Sequence, residues 1–519
     1  MTHIAAHWLH QARLTVLTTV LAAVGFIAFA QGGQEVTVAT SGVAATVNTL
    51  DPLFDSNTSE VVINLFDSLV MIERQMVDGQ PRFEVTDQGV ATSWQPVDDT
   101  TWAFTIRSGI TFHDGTPLTA SDVAFSINQI LNPDFNSRRA AVIPGIAGAE
   151  AVDDHTVHVF TEFPLANAVL ILSRIQVVPE AYYREVGSEA FSEAPIGSGP
   201  YAFESWSRGD FVALRAYDDY WQGRPAFDRA VFRNVTEASG RAVAIRSGQA
   251  QIVNNIPPTL FADLQGDAGV QTLIFEGNQH VLFGINGREG PLADARVRQA
   301  IMFAIDREEI IDVLYDGQFA RPVTGIIMQG LPGYDPALEE MYTYDLERAR
   351  ELMAEAGYAD GFTTQMLYSP GVLAQIDELV QSYIGYLSDI GITLQLDATE
   401  SGSRLQRIRD GDVPGIFQTA CGNQSADPAH CFNLWISESS GRGWYWPGVF
   451  NLDEELVGLA GELDADVRAD RFVEFNEMVA TQVPFIFAHH ENTGWATAAD
   501  IDFTPTWQGY TDLRNATLR

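Results

Sequence analysis

From Thr101 to Ile130 the chain writes out a strand, a tight turn and a capped helix in immediate succession, and this order constrains the fold more than any single residue. Trp102, Phe104 and Ile106 alternate with smaller or polar neighbours, the period of two of a half-buried strand. Asp114-Gly115 supplies the turn. Thr119 with Asp122 three residues on fits a capping box, opening a helix with Val123, Ile127 and Ile130 on one stripe. The same pattern recurs downstream. Asp294 is placed to cap a helix in which Val297, Ile301, Ala304 and Ile305 recur at three- and four-residue spacing, with Gly317 as a stop. Asp345 and Gly357 bracket another, with Leu346, Ala349, Leu352, Met353 and Ala356 inward, and a helix through Ile376, Leu379 and Ile384 leads into the strand-like run 391–396. No repeat or long linker interrupts residues 31–519, so the alternation reads as α/β throughout.

Residues 14–29 form an apolar run behind Arg13, and Ala28-Phe29-Ala30 has the small-x-small form of a signal-peptidase site, so residues 1–30 are read as a signal peptide cleaved after Ala30. The three threonines in the run argue against a retained membrane anchor. The remaining 489 residues are enough for two or three domains, and 46% apolar residues supply their cores.

Charge excludes one class of partner. Removing residues 1–30 leaves 29 arginines against 68 acidic residues, a balance of −39, which leaves no basic surface for nucleic acid. There is no lysine. An acidic, lysine-free surface suits salty surroundings, where screening removes self-repulsion, and points to a marine or halophilic source. Cys421 and Cys431, the only cysteines, are most simply a disulfide in an oxidising compartment. A metal site with His430 is the alternative, but it lacks a second ligand pair at metal-binding spacing.

Four blocks in one order carry a family resemblance: RSGITFHDGTPLTASDVAFSI at 107–127; GSGPYAFESW at 197–206 with AYDDYWQGRPAFDRAVFRNV at 216–235; PLADARVRQAIMFAIDREEIIDVLYDG at 291–317; and DLERARELMAEAGYADGF at 345–362. The chain resembles the extracellular solute-binding proteins of family 5, which deliver peptides, nickel chelates, opines or sugars to ABC importers. The resemblance implies a bilobal type II periplasmic-binding-protein fold. On that pattern, residues 31–69, 190–280 and 486–519 form lobe I, 70–189 its extra subdomain, and 281–485 lobe II, with hinge strands near Val281–Asn286 and Pro484–Trp495. Such a protein closes on its ligand by hinge bending. It implies a periplasmic monomer without cofactor, whose partners are the solute and a membrane permease complex with a cytoplasmic ATPase.

The expected site is the cleft, with Thr40, Ser41, Asn278, Gln279, Asn423 and Gln424 as polar candidates and Trp444, Tyr445 and Trp446 as aromatic ones. Consecutive aromatics bounded by glycine and proline fit no core period, although a core role is the competing reading. Two departures from the dipeptide-binding pattern stand out. The aspartate that holds a ligand ammonium is replaced near Cys421 and Gln424, and the arginine that clamps a carboxylate is missing from Leu367–Gly371. A dipeptide held at both termini is disfavoured, because an unpartnered buried charge costs several kcal/mol. Longer peptides remain the default, with an opine, an oligosaccharide or a metal chelate as alternatives. Arg404, Arg407 and Arg409 are available to an anion, with a solvated helix face as the plainer reading.

No catalytic signature is present. G-x-S-x-G, H-E-x-x-H and the P-loop are all absent, and the glycines at 197 and 199 lack phosphate-loop spacing and read as a chain reversal. His489-His490-Glu491 is the most enzyme-like cluster, but adjacent residues on a strand face opposite sides. An exported hydrolase is the remaining alternative.

Overall fold

The structure is a computed structural model that describes residues 34–519 apart from 42–48, 56–59, 78, 374, 414, 424, 438–444 and 447–449. The segment expected to be a signal peptide and its expected cleavage point lie outside the described residues, as do Gln424 and Trp444.

One large mixed sheet runs through the molecule. Its strand order is Ile392–Ala398, Phe362–Tyr368, Ile416–Gly422, Val270–Ile285, Phe485–Ala498, Ile252–Ile256, Glu35–Thr40, Arg229–Asn234, Phe211–Ala216 and Tyr201–Ser207. Val270–Ile285 and Phe485–Ala498 are its longest strands and pair antiparallel along most of their lengths, so the sheet's two wings are joined through them. Buried side chains fall into two clusters. Phe66, Phe104, Phe191 and Phe232 belong to one, and Phe283, Ile301, Leu352, Phe417 and Phe472 to the other.

A four-stranded sheet, Ala91–Asp98, Thr101–Ile106, Thr156–Thr161 and Ile146–Asp153, stands apart from the large one. The Thr101–Ile106 strand and the Ala120–Leu131 helix form as the pattern predicts, and Thr119 and Asp122 complete a reciprocal capping box. Asp294 accepts from the Arg296 N–H and Asp345 from the Arg348 N–H, each at 2.9 Å.

The two glycines of the GSGP block have a packing reason. A Cβ at Gly197 would stand 1.9 Å from the Leu65 carbonyl oxygen, and one at Gly199 would stand 2.7 Å from that of Asn64. His113 locks the same crossing. Its Nδ1 accepts from the Gly197 N–H at 3.1 Å, and Nε2 meets the Gly199 carbonyl at 3.0 Å.

Two segments far apart in sequence meet across the molecule. The Ala166 N–H donates to the Ala460 carbonyl at 2.6 Å, and the Asn167 amide donates to the Asp427 carboxylate. Arg468 approaches that carboxylate from behind at 3.9 Å.

Candidate ligand cleft

Beside this contact lies a partly open cavity of about 350 Å³, within the range of small-molecule sites. Ile63, Phe66, Val70 and Ile72 give it an apolar wall, and Gln176, His430 and Tyr510 add polar groups. Its formal charges are Arg174, Asp512 and Arg514.

The AYDDYW block explains how one of these charges is held. The Tyr220 hydroxyl and Trp221 indole donate to the fully buried Asp67 carboxylate at 2.9 and 3.0 Å. Asp67 lies 3.6 Å from the Arg514 guanidinium, which also has Asp512 at 3.7 Å. Burial pushes the Asp67 carboxyl up, and Arg514 with the two aromatic donors opposes the shift.

Near the same cavity two arginines lie close together. Arg139 is 1% exposed and directs its guanidinium at the Asp55 and Arg174 carbonyls and the Gln176 side chain. Arg174 itself makes no side-chain hydrogen bond or ion pair among the described residues. Burial lowers its pKa, and Tyr510 partly offsets the effect. Burial also lowers that of His430, with Arg174 adding to the shift, so the imidazole is neutral at pH 7.

A second, smaller hollow of about 10 Å³, room for one water, lies against the long strands and is lined by Arg74, Phe83, Glu276, Asn278, Asn423, His490 and Trp507. Glu276 is an ionic node there. Its carboxylate binds Arg74 from the Met71–Val77 strand, has Arg321 at 3.3 Å, and lies 3.8 Å from His490. Arg321 continues to Glu339 at 2.7 Å, which accepts from the Tyr334 hydroxyl at 2.9 Å. The node thereby ties three separate chain segments together beside the two long central strands.

Some of the sequence candidates meet here and others do not. Asn278 and Asn423 come together, with the Asn423 N–H donating to the Asn278 carbonyl at 2.9 Å. The Asn423 side chain turns inward, donating to the Asp427 carbonyl at 2.7 Å and accepting from the N–H of Ser425. Gln279 reaches Glu491, while Thr40 is buried and Ser41 accepts from Asn255 at 3.1 Å, neither lining these cavities. Tyr445 and Trp446 are 0% and 1% exposed. The Tyr445 hydroxyl donates to the Ile408 carbonyl at 3.0 Å and the Trp446 indole to that of Ile285 at 2.7 Å, so both act as core residues and the binding role expected of them is set aside.

Cys421 and Cys431 are joined by a disulfide. It clamps the base of the loop that carries Asp427 and His430. Arg404 and Arg407 serve the fold, the first bonded to Ser369 and the Gln418 carbonyl, the second to Asp397. His489 packs on the Tyr315 ring and His490 on the His280 ring, on opposite faces of their strand.

Comparison with known proteins agrees with this architecture. The family model for the middle region of bacterial extracellular solute-binding proteins, family 5, matches residues 87–443. The glutathione-binding protein GsiB of Salmonella typhi is 29% identical over 385 residues, covering 70% of each chain. Among solved structures, the substrate-binding protein CtaP from Listeria monocytogenes superposes with a TM-score of 0.81 at 23% identity, covering 94% of this chain and 100% of that one. The binding protein DppA from Helicobacter pylori, in complex with the peptide STSA, gives 0.74 at 21% identity, covering 94% and 98%.

Fold and cleft thus define a bilobal binding protein of the type II periplasmic class. The chain belongs to the bacterial extracellular solute-binding proteins of family 5, whose members act outside the cytoplasmic membrane as the solute-capturing components of ABC importers. They are binding proteins rather than enzymes, and they work with a membrane permease and its ATPase.

Proposed function

We propose that this protein captures a short peptide or peptide-like solute in the cavity behind Arg174 and His430 and presents it, enclosed, to its permease. The observation that carries this reading is the cavity's makeup. Apolar side chains on one wall suit a ligand's side chains, and charges of both signs on the same surface suit a zwitterion. Its size favours a ligand of a few residues over a long peptide. The resemblance to glutathione-binding proteins makes that tripeptide the first solute to test.

The reading includes lobe boundaries near residues 280 and 485, supported by the two long central strands that pass there. It also includes export with cleavage after Ala30, supported by the apolar leader. The arginine missing from the dipeptide-binding position is no obstacle, because Arg174 reaches the cavity from another part of the chain.

The test is a thermal-shift and calorimetric screen of the mature protein with glutathione, peptides of two to eight residues, opines, oligosaccharides and nickel chelates. A ligand at 100 times its Kd adds about 2.7 kcal/mol to stability, well above the detection limit. Stabilisation by glutathione or other short peptides is the expected result. Stabilisation by sugars or chelates alone would overturn the peptide reading.

A further inference from the structure

We infer that Arg174 selects the charge of the solute, its guanidinium receiving a free carboxylate of the bound ligand beside the Tyr510 hydroxyl. This rests on the reading of the cavity as the ligand site.

The case starts from how the fold treats its other arginines. Those withdrawn from solvent bond or pair with protein groups through their guanidinium. Arg139 and Arg241 donate to backbone carbonyls, as do Arg298 and Arg307. Arg404 bonds Ser369 and the Gln418 carbonyl, and Arg514 sits between two carboxylates. Arg174 is only partly exposed and lines the cavity, yet it has no such partner among the described residues.

In a chain with 68 acidic residues against 30 arginines, a carboxylate is the most available partner, and none is supplied here. A guanidinium left without an acceptor in a half-dry site loses solvation and gains nothing in return, so the apo arrangement is costly unless a ligand supplies the acceptor.

The surroundings strengthen the preference. Arg139 donates to the Arg174 carbonyl and is close enough for the two guanidinium charges to act on each other, with Asp51 and Asp55 partly offsetting its charge. His430, facing from the other side of the cleft, is neutral and so does not add a competing cation. The acid on this cavity wall, Asp512, is already engaged by Arg514. Tyr510 is close enough to feel the Arg174 charge, and its hydroxyl can donate a second hydrogen bond to the same carboxylate.

The experiment compares wild type, Arg174→Gln and Arg174→Lys as mature proteins stripped of endogenous ligand by denaturation and refolding. Probes are glutathione, trialanine, trialanine amide, an opine and a neutral trisaccharide, read by calorimetry. Unchanged unliganded melting temperature shows that the variants fold.

Wild type is expected to bind the free acid about tenfold or more tightly than the amide, the worth of a charged hydrogen bond. Arg174→Gln should lose that margin by weakening only the free acid, and Arg174→Lys should restore part of it. Peptides that bind wild type regardless of amidation, or that bind Arg174→Gln as tightly, would overturn the role of Arg174 while leaving the peptide reading intact. An opine that binds in place of peptides and is lost in Arg174→Gln would overturn the peptide reading and support Arg174. No binding by any carboxylate probe would overturn the inference.

Discussion

Replacing both cysteines, Cys421→Ala with Cys431→Ala, removes a crosslink that closes a loop of sequence separation 10. Chain entropy for a loop of that size gives about 2.7 kcal/mol of stabilisation at 25 °C. Both residues are fully buried, 0% and 1% exposed, and alanine avoids burying the hydroxyl that serine would introduce. The loss falls on the sheet wing built from the 416–422 strand and its neighbours. For a unit of about 200 residues, each kcal/mol moves Tm by roughly 2–4 °C, so that wing's transition should fall by about 5–10 °C.

Differential scanning calorimetry of wild type, reduced wild type and the double variant reads this directly. The lowered transition should appear in the last two alike, with the other wing's transition in place. The same crosslink holds both ends of the segment that brings Asp427 and His430 to the cleft, so ligand affinity should fall together with stability. A double variant that melts within about 1 °C of oxidised wild type would refute the entropy argument. A lower Tm with undiminished affinity would show that the Asn423 side-chain turn alone shapes the loop.

Glu276→Gln removes the charge on which Arg74 and Arg321 converge, and should cost the closed form about 1–3 kcal/mol. Small-angle scattering of liganded protein should show a more open average and calorimetry an affinity roughly tenfold weaker; an unchanged profile would exclude a latch. Acid should destabilise the fold, because burial depresses the pKa of His113 to about 4 and of His280 and His489 to about 3 from the ordinary 6.5. Stability from these groups is complete above pH 6.5 and is lost as pH falls towards 3, so urea midpoints should drop steeply below pH 6. Glu60 runs the other way, raised from 4.5 to about 7 by burial, so its contribution is complete below pH 4.5 and is lost as pH rises to 7. Glu60→Gln should therefore gain on wild type, on the order of 3 kcal/mol, between pH 5 and 8, and equal pH profiles would count against that burial cost. Finally, a net charge of −38 predicts that Tm rises from 0.1 M to molar salt, as screening shortens the range of repulsion; a flat or falling Tm would count against a halophilic origin.

How much of this could be read from sequence depends on the range of the interaction that fixes each feature. The capped helices were legible because Thr119 and Asp122, or Asp345 and the Arg348 N–H, lie within one turn of each other. The burial of Tyr445 and Trp446 is not legible, for the opposite reason. Tyr445 and Trp446 break the local core period, yet their polar tips find carbonyls at Ile408 and Ile285, 37 and 161 residues away, which no window on the sequence can register. The groups that hold the cavity's charges are as remote. Asp67 reaches Tyr220 across 153 residues, and Arg514 comes from the last residues of the chain. One signal was available, for Tyr220 and Trp221 are adjacent donors that must find an acceptor if buried, and that acceptor is the Asp67 carboxylate paired with Arg514. Arg174 left no such trace. What sets it apart from the buried arginines is a missing side-chain partner among the described residues, and that becomes visible only when its neighbours have been placed. A binding protein's scaffold is therefore largely written in local pattern, whereas the groups that line its cavity are brought together by long-range contacts.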